Sequence, residues 1–390
     1  MNKKHLFIAV APLLVVGPLT GCSSSNSIVS LPFGKLYDSS LKGEEHFSKI
    51  AYTDFKTLVE GNDSYAPSSF ALVVRGSSES CICWSSFRGQ LETYCNKKNF
   101  LLYYMELADF NQQSYAGLDL KNEEHTLGIF DKGSLKYQVN VSDGSTYSSS
   151  YDVLSAWFDE RITIGPLLYI NKTQLYALYS SATEGFVVGY LRKKCPDCSY
   201  VMTHSVSSYS SSLSRKGYLI DCDVEGIRYY NGSEPAEEGT EDQQKAYAQW
   251  QSFKDEYGLS SKNTNFGFDN GYVPTFTYSL PGEDKAGMVE DAFVWGNESL
   301  TKNDDGTYRV TNAYLDGSRN DGKGDDNPFL TDNAKDILTK CEVKETNFLY
   351  IKSIPASDVT VYKDNGYWNH SASEVYDNPL LKAFLTYYLG

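Results

Sequence analysis

The chain has 390 residues and a formal net charge of −15 at pH 7. This acidic balance excludes a typical nucleic-acid-binding protein, because there is no basic surplus to replace phosphate counterions. The length, together with 31 tyrosines and 19 phenylalanines, suffices for two domains or one large domain with real cores. The chain has eight cysteines, which is too few at this length for a protein held together mainly by disulfides.

The N-terminus has the features of an export signal. Lys3 and Lys4 precede an apolar run from Leu6 to Val16 that is too short to span a bilayer comfortably. The sequence LTGC, ending at Cys22, follows and leads into a polar tract.

These residues resemble a bacterial lipoprotein signal, in which a small residue precedes a cysteine that becomes the lipidated first residue. The resemblance implies a signal peptide over 1–21, palmitate-type acyl chains on Cys22, and anchoring at the extracytoplasmic face of the cell membrane. The segment 22–44 is then expected to be a flexible tether. An ordinary secretory signal with an incidental cysteine is the alternative.

A first unit of strand, cysteine motif, helix and strand follows. Phe70–Val74 is an apolar strand, and Cys81 and Cys83 come after it. Apolar residues at +4, +8 and +11 from Cys83 indicate a helix. The next predicted strand is Phe100–Leu107.

The same order of elements recurs later in the chain. The strand Phe186–Leu191 leads into Cys195-Pro-Asp-Cys198, and apolar residues again stand at +4, +8 and +11 from the last cysteine. Another strand is predicted over Tyr218–Val224. The recurrence indicates an internal duplication with an offset of about 120 residues.

A strand that leads into C-x-x-C at a helix start, followed by a parallel strand, resembles the beginning of a thioredoxin-like fold. The resemblance implies an α/β protein with two tandem thioredoxin-like domains, each a central mixed sheet flanked by helices. The predicted domains cover 45–165 and 166–390. The second has an extended C-terminal region and an insertion over 230–265 with an acidic helical core.

Thioredoxin-like proteins also place a cis-proline opposite the cysteines, at the start of a β-hairpin. In the second unit Val273 and Pro274 precede an apolar strand, so Pro274 is the predicted cis-proline. In the first unit the hairpin is expected over Thr126–Gln138, and His125 stands where the proline is expected.

The resemblance makes Cys195 and Cys198 the predicted catalytic pair. Cys195 is expected at an exposed helix N-terminus, which favours a thiolate. Arg192, Lys193 and Lys194 just before it add positive charge, while Asp197 opposes this effect. Cys198, one turn further in, is expected to resolve a mixed disulfide. Val273 and Pro274 are implied to bind a substrate peptide.

Two structural alternatives remain for the C-x-x-C motif. One is a permanent disulfide, and the other is half of a zinc site, which requires four tetrahedral ligands. Only Cys81 and Cys83 offer a second cysteine pair, and the duplication puts them in a separate domain. We therefore predict no metal and no cofactor.

The first unit departs from the family pattern. Its alignment puts Ser80 at the nucleophile position and Cys83 at the resolving position, with Cys81 between them. Cys81 and Cys83 form a possible second redox pair, and a degenerate, non-catalytic domain is the alternative.

The sequence as a whole predicts a membrane-anchored extracytoplasmic thiol–disulfide oxidoreductase that acts on protein cysteines. Its expected partners are protein thiols, disulfides or peptide segments, and the membrane through the lipid anchor, but not nucleic acid. The rival hypothesis is a redox-inert thioredoxin-like lipoprotein that binds a protein or peptide. A solute-binding lipoprotein is a third reading, which requires a large cleft between domains.

Overall fold

The fold was analysed in a computed structural model. The residues that the structure describes are 27–38, 41, 43–62, 66–76, 83–111, 115, 117–192, 195, 198–199, 201–226, 240–256, 273–282, 289–294, 298–302, 308–312, 353–354 and 379–390.

The strands in chain order are β1 Val29–Lys35, β2 Ser48–Lys49, β3 Phe70–Arg75, β4 Tyr103–Glu106, β5 His125–Asp131, β6 Ser134–Val141, β7 Ile162–Tyr169, β8 Phe186–Leu191, β9 Gly217–Asp221, β10 Thr275–Ser279, β11 Val289–Val294, β12 Glu298–Lys302, β13 Tyr308–Asn312 and β14 Ser353–Ile354. The α-helices are α1 Tyr52–Glu60, α2 Cys83–Lys98, α3 Thr146–Ser149, α4 Tyr151–Asp159, α5 Lys172–Ser181, α6 Ser207–Tyr209, α7 Glu241–Glu256 and α8 Pro379–Leu389. A π-helical segment, Val201–Val206, leads into α6.

The first half of the chain builds a five-stranded sheet in the order β2-β4-β3-β5-β6. The strands β2, β4 and β3 are parallel, and the hairpin of β5 and β6 is antiparallel to them. The hairpin turn uses positive φ at Lys132 and Gly133, which is the backbone that a tight two-residue turn requires. The hairpin predicted over Thr126–Gln138 is confirmed.

The second half repeats this arrangement in the order β7-β9-β8-β10-β11. Again three strands are parallel, and β10 and β11 form the antiparallel end. Strand order and direction, with helical segments between the parallel strands, give both halves thioredoxin-like topology. The expected tandem thioredoxin-like fold is confirmed.

Apolar side chains explain why the central strands and their helices pack together. Strands β3 and β8 are buried almost throughout, as expected for strands that are covered on both faces. In the first half, alternate residues of β3 face two cores: Ala71 and Val73 pack with α2, whereas Leu72 packs with α1. The helix predicted from the spacing after Cys83 is confirmed, since the residues at +4, +8 and +11 are all buried.

Strand β1 corrects the prediction of a flexible tether over 22–44. Val29–Lys35 extends the second sheet by pairing in parallel with β7, and the register shifts at Pro32. A side chain at Gly165 on β7 would collide with the main-chain oxygen of Pro32. Although β1 is hydrogen-bonded to the sheet of the second half, its Leu31 packs in the core of the first. The strand therefore connects both halves, and β7 begins at Ile162, before the predicted domain boundary at 166.

The predicted insertion contributes a helix to the second core. Helix α7 matches the acidic helical segment expected within 230–265, and its Trp250 and Phe253 are buried. The Phe253 ring lies 6.4 Å from the ring of Tyr190 on β8. Helix α8 closes the same core, with the Tyr388 ring stacked 3.9 Å from that of Tyr278 on β10.

Three further strands, β12, β13 and β14, form a separate antiparallel sheet. The residues from 1 to 26, which contain the predicted signal peptide and Cys22, lie outside the described residues. Within the described ranges, no helix combines the length and the apolar character needed to cross a bilayer.

Candidate redox site

The two cysteines of the C-x-x-C motif lie where β8 gives way to a helical segment. Cys195 follows the strand by four residues, and its N–H donates to the main-chain oxygen of Arg192 at 3.3 Å. Cys198 begins the helical segment that continues through the π-helical residues. Cys198 is more buried than Cys195, at 2 % against 8 % exposure, as the sequence predicts. The low exposure of Cys195 differs from the expectation of an exposed thiol.

The geometry of the pair suits thiol chemistry. Cys195 and Cys198 are both thiols in the structure, and the N–H of Cys198 donates to the Cys195 sulfur at 3.4 Å. Burial raises the pKa of Cys198 well above its usual value, and the hydrogen bond and charge of Cys195 raise it further. A main-chain hydrogen bond from Arg192 acts in the opposite direction. Cys198 is therefore a protonated thiol near neutral pH.

The segment before β10 covers Cys195. The peptide bond between Val273 and Pro274 is cis, which confirms the sequence prediction for Pro274. The Cys195 thiol donates to the carbonyl oxygen of Val273 at 3.8 Å. Strand β10 pairs directly with β8, with Thr275 opposite Tyr190, and this pairing brings the two segments together. The role of Val273 and Pro274 in substrate binding stays a prediction.

The positive charge of Arg192, which was expected to favour a thiolate on Cys195, is paired with a carboxylate. Its guanidinium donates through Nε to Asp223 Oδ2 at 2.6 Å, in an ion pair just beyond the ends of β8 and β9. Asp197, which is predicted to oppose the thiolate, lies outside the described residues. The ion pair was missed from the sequence, since only the pairing of β8 with β9 brings Arg192 and Asp223 together.

The corresponding place in the first half holds a histidine. His125 opens β5 and is 1 % exposed, and its Nδ1 accepts a hydrogen bond from the N–H of Gly76 at 3.1 Å. Its ring lies against Trp84 and Phe87 of α2. Burial, followed by the charge of Arg75, lowers the pKa of His125 to about 4. A neutral imidazole therefore packs where the second half presents the Val273 carbonyl.

The possible second redox pair is only partly described. Cys83 is buried at the start of α2 and is disulfide-bonded, and its partner is not one of the other described cysteines, which are all thiols. Cys81 lies outside the described residues, so the pair of Cys81 and Cys83 stays a prediction.

Two other cysteines are buried thiols. Cys95 on α2 and Cys222 after β9 are fully buried. Burial is the main cause that raises the pKa of Cys95 to about 12, which makes it unreactive near neutral pH. Cys341 lies outside the described residues. Among the described residues, no group of three or more His, Cys, Asp or Glu side chains is placed to hold a metal ion.

No family model and no curated protein matches the sequence. Solved structures that match include the zinc-bound form of human ERp44, the first two thioredoxin domains of Naumovozyma dairenensis Eps1p, and the bb fragment of ERp72, each 9 % identical to this chain.

The TM-scores are 0.21, 0.22 and 0.26 in that order, and the matches cover 64 %, 65 % and 64 % of this chain. They cover 56 % of the ERp44 chain, 92 % of the Eps1p chain and 89 % of the ERp72 fragment. At these scores the thioredoxin-like assignment depends on the strand order of the two sheets, and no activity is transferred from these proteins.

Proposed function

We propose that the protein is a thiol–disulfide oxidoreductase that acts on protein cysteines through Cys195 and Cys198. The observation that carries the proposal is the arrangement around the Cys195 sulfur, which lies between the N–H of Cys198 and the carbonyl of Val273. Cys195 attacks a substrate disulfide and forms a mixed disulfide, with one substrate sulfur leaving as a thiol. Cys198 then attacks Cys195, which releases the second substrate thiol and closes the Cys195–Cys198 disulfide.

Val273 and Pro274 bind the substrate peptide in this proposal. The Val273 carbonyl is already engaged by the thiol of Cys195, so it lies at the reacting sulfur. An extended substrate segment can accept and donate main-chain hydrogen bonds along this edge.

Trapping of mixed disulfides tests the proposal. In Cys198→Ser, the mixed disulfide between Cys195 and a substrate protein cannot be resolved, so it should accumulate and disappear on addition of dithiothreitol. Cys195→Ser/Cys198→Ser is the matched control and should trap nothing. An absence of trapped species, together with alkylation of Cys195 no faster than that of a model thiol near pH 7, contradicts the enzymatic proposal.

If no mixed disulfide is trapped, the rival proposal gains support, in which the protein is a redox-inert module that binds a protein or peptide. It predicts that partner capture persists in Cys195→Ser/Cys198→Ser and is insensitive to dithiothreitol. No described feature favours a solute-binding cleft.

We also propose that acyl chains on Cys22 anchor the protein at the extracytoplasmic face of the cell membrane. The support is the LTGC sequence that precedes a polar tract. Cys22→Ala should move the protein from the membrane fraction to the soluble fraction and abolish incorporation of labelled palmitate. A protein that stays membrane-bound without label in both forms contradicts lipid anchoring.

A further inference from the structure

A single residue, Arg192, contacts both cysteines of the redox site through its main chain. Its carbonyl accepts the N–H of Cys195 at 3.3 Å, and its main chain also forms the hydrogen bond that opposes the rise in the pKa of Cys198. The position of the Arg192 main chain therefore affects the positions of both cysteines.

The side chain of Arg192 is fixed by a carboxylate on the neighbouring strand end. Its Nε donates to Asp223 Oδ2 at 2.6 Å, and the arginine side chain is only 16 % exposed. Such a partly buried, charge-assisted hydrogen bond is stronger than a typical surface ion pair.

A tight turn after β9 fixes the position of Asp223. The N–H groups of Asp223 and Val224 both donate to Asp221 Oδ1, at 3.0 and 3.1 Å. One residue earlier, the N–H of Cys222 donates to the main-chain oxygen of Leu191 at 2.8 Å, which continues the pairing of β8 and β9. The carboxylate that receives Arg192 is therefore attached to a rigid element.

The first half contains an equivalent ion pair without the redox arrangement. Arg75 and Glu106 are register partners at the ends of β3 and β4, and Arg75 Nη1 lies 3.2 Å from Glu106 Oε1. The residue after Arg75 donates its N–H to His125. This pair serves as a matched control, because it joins the ends of β3 and β4 in the first half, away from Cys195 and Cys198.

We infer that the Arg192–Asp223 ion pair is a positioning device that holds the main chain of Arg192 against both cysteines and thereby stabilises their dithiol form. This inference deepens the proposed function, on which it rests, by naming two positioning residues for the same site. The relevant reaction transfers two electrons and two protons from Cys195 and Cys198 to glutathione disulfide, which yields the protein disulfide and two molecules of glutathione.

The test is the equilibrium constant of this reaction, measured by alkylation and mass spectrometry of the Cys195/Cys198 peptide in glutathione buffers. Asp223→Asn should shift the equilibrium toward the protein disulfide by roughly threefold or more, because the contacts that stabilise the dithiol are loosened. Asp223→Glu, which keeps the carboxylate, should restore most of the wild-type value. Glu106→Gln should lower the thermal midpoint without moving the equilibrium.

If Asp223→Asn does not fold, Arg192→Lys provides the second variant, since a lysine cannot donate from the Nε position and should shift the equilibrium in the same direction. The inference is overturned if Asp223→Asn, or its substitute, alters only the thermal midpoint, as Glu106→Gln does, or if Asp223→Glu fails to restore the equilibrium. A wild-type pair that equilibrates normally but reduces no protein substrate contradicts the proposed function and leaves this inference standing. A pair that never forms a disulfide contradicts both.

Discussion

The two halves share strand order, a helix that follows β3 or β8, and an ion pair at the strand ends, but they differ at the start of the antiparallel strand. Where the antiparallel strand begins, the second half has Val273 and Pro274, and a main-chain carbonyl lies 3.8 Å from the sulfur of Cys195. The first half has His125, whose side chain enters the core and accepts a hydrogen bond from Gly76.

This difference shows that the same thioredoxin-like topology holds different groups at corresponding positions of the two halves. In the first half the position contributes to packing, because the imidazole fills space against Trp84 and Phe87. In the second half the corresponding position places the main-chain carbonyl of Val273 next to the thiol of Cys195.

The largest effect is expected from replacing one motif cysteine in each half, Cys195 in the second half and Cys83 in the first. Cys195→Ser should reduce the rate of insulin disulfide reduction to the uncatalysed level, a loss on the order of 100-fold, because no other described thiol has a resolving partner at the start of a helix. Cys83→Ser should retain the rate within about threefold. Turbidity assays at equal protein concentration measure both. A comparable loss in Cys83→Ser would show that the first half is also catalytic.

The next effect concerns the strand that connects the halves. Leu31→Ala should lower the free energy of unfolding by about 2–5 kcal/mol, since it leaves a cavity at a side chain that is 3 % exposed. Ile28→Ala, three residues earlier, removes a side chain that is 58 % exposed and should change stability by less than about 0.5 kcal/mol. Urea titration followed by tryptophan fluorescence measures both. Equal, small changes would restore the prediction of a flexible tether.

Strand β1 also shows where sequence reasoning fails. The heptapeptide VSLPFGK has apolar residues at 29, 31 and 33, which is the alternation of a strand, but Pro32 and Gly34 lie between them and favour a loop. Its partner, β7, is far away in sequence, and the register shift accommodates the proline. The local signals therefore conflict, and only the pairing with a distant strand decides between them.

Other elements were predictable because their signals are local. The helical spacing after Cys83 and Cys198 identified the buried faces of both helices. The sequence Asp131-Lys-Gly identified the hairpin turn, where Lys132 and Gly133 adopt positive φ. The ion pair of Arg192 and Asp223 was not predictable, since it requires the register of β8 against β9.

The smallest expected effect is a dependence of the free energy of unfolding on pH, which comes from His125 in the first half. The pKa of His125 is about 4 in the folded protein and about 6.5 in an unfolded chain, so the unfolded state takes up the proton first as the pH falls. Stability from the neutral imidazole is therefore complete above about pH 6.5, declines toward pH 4, and is constant below that.

His125→Phe tests this dependence because it keeps an aromatic ring against Trp84 but cannot titrate or accept the N–H of Gly76. At pH 7 the variant should be less stable than wild type by about 1–3 kcal/mol, since a buried N–H loses its partner. Between pH 6.5 and pH 4 the difference in free energy of unfolding between the two proteins should narrow by a similar amount, because only the wild type loses stability through residue 125. Carboxylates such as Glu106 and Asp143, which raise the pKa of His125, are present in both proteins, so most of their own titration cancels in the difference. Urea midpoints that run parallel for the two proteins across this range would show that the imidazole is not held neutral, and the contrast between the two halves would then be one of shape alone.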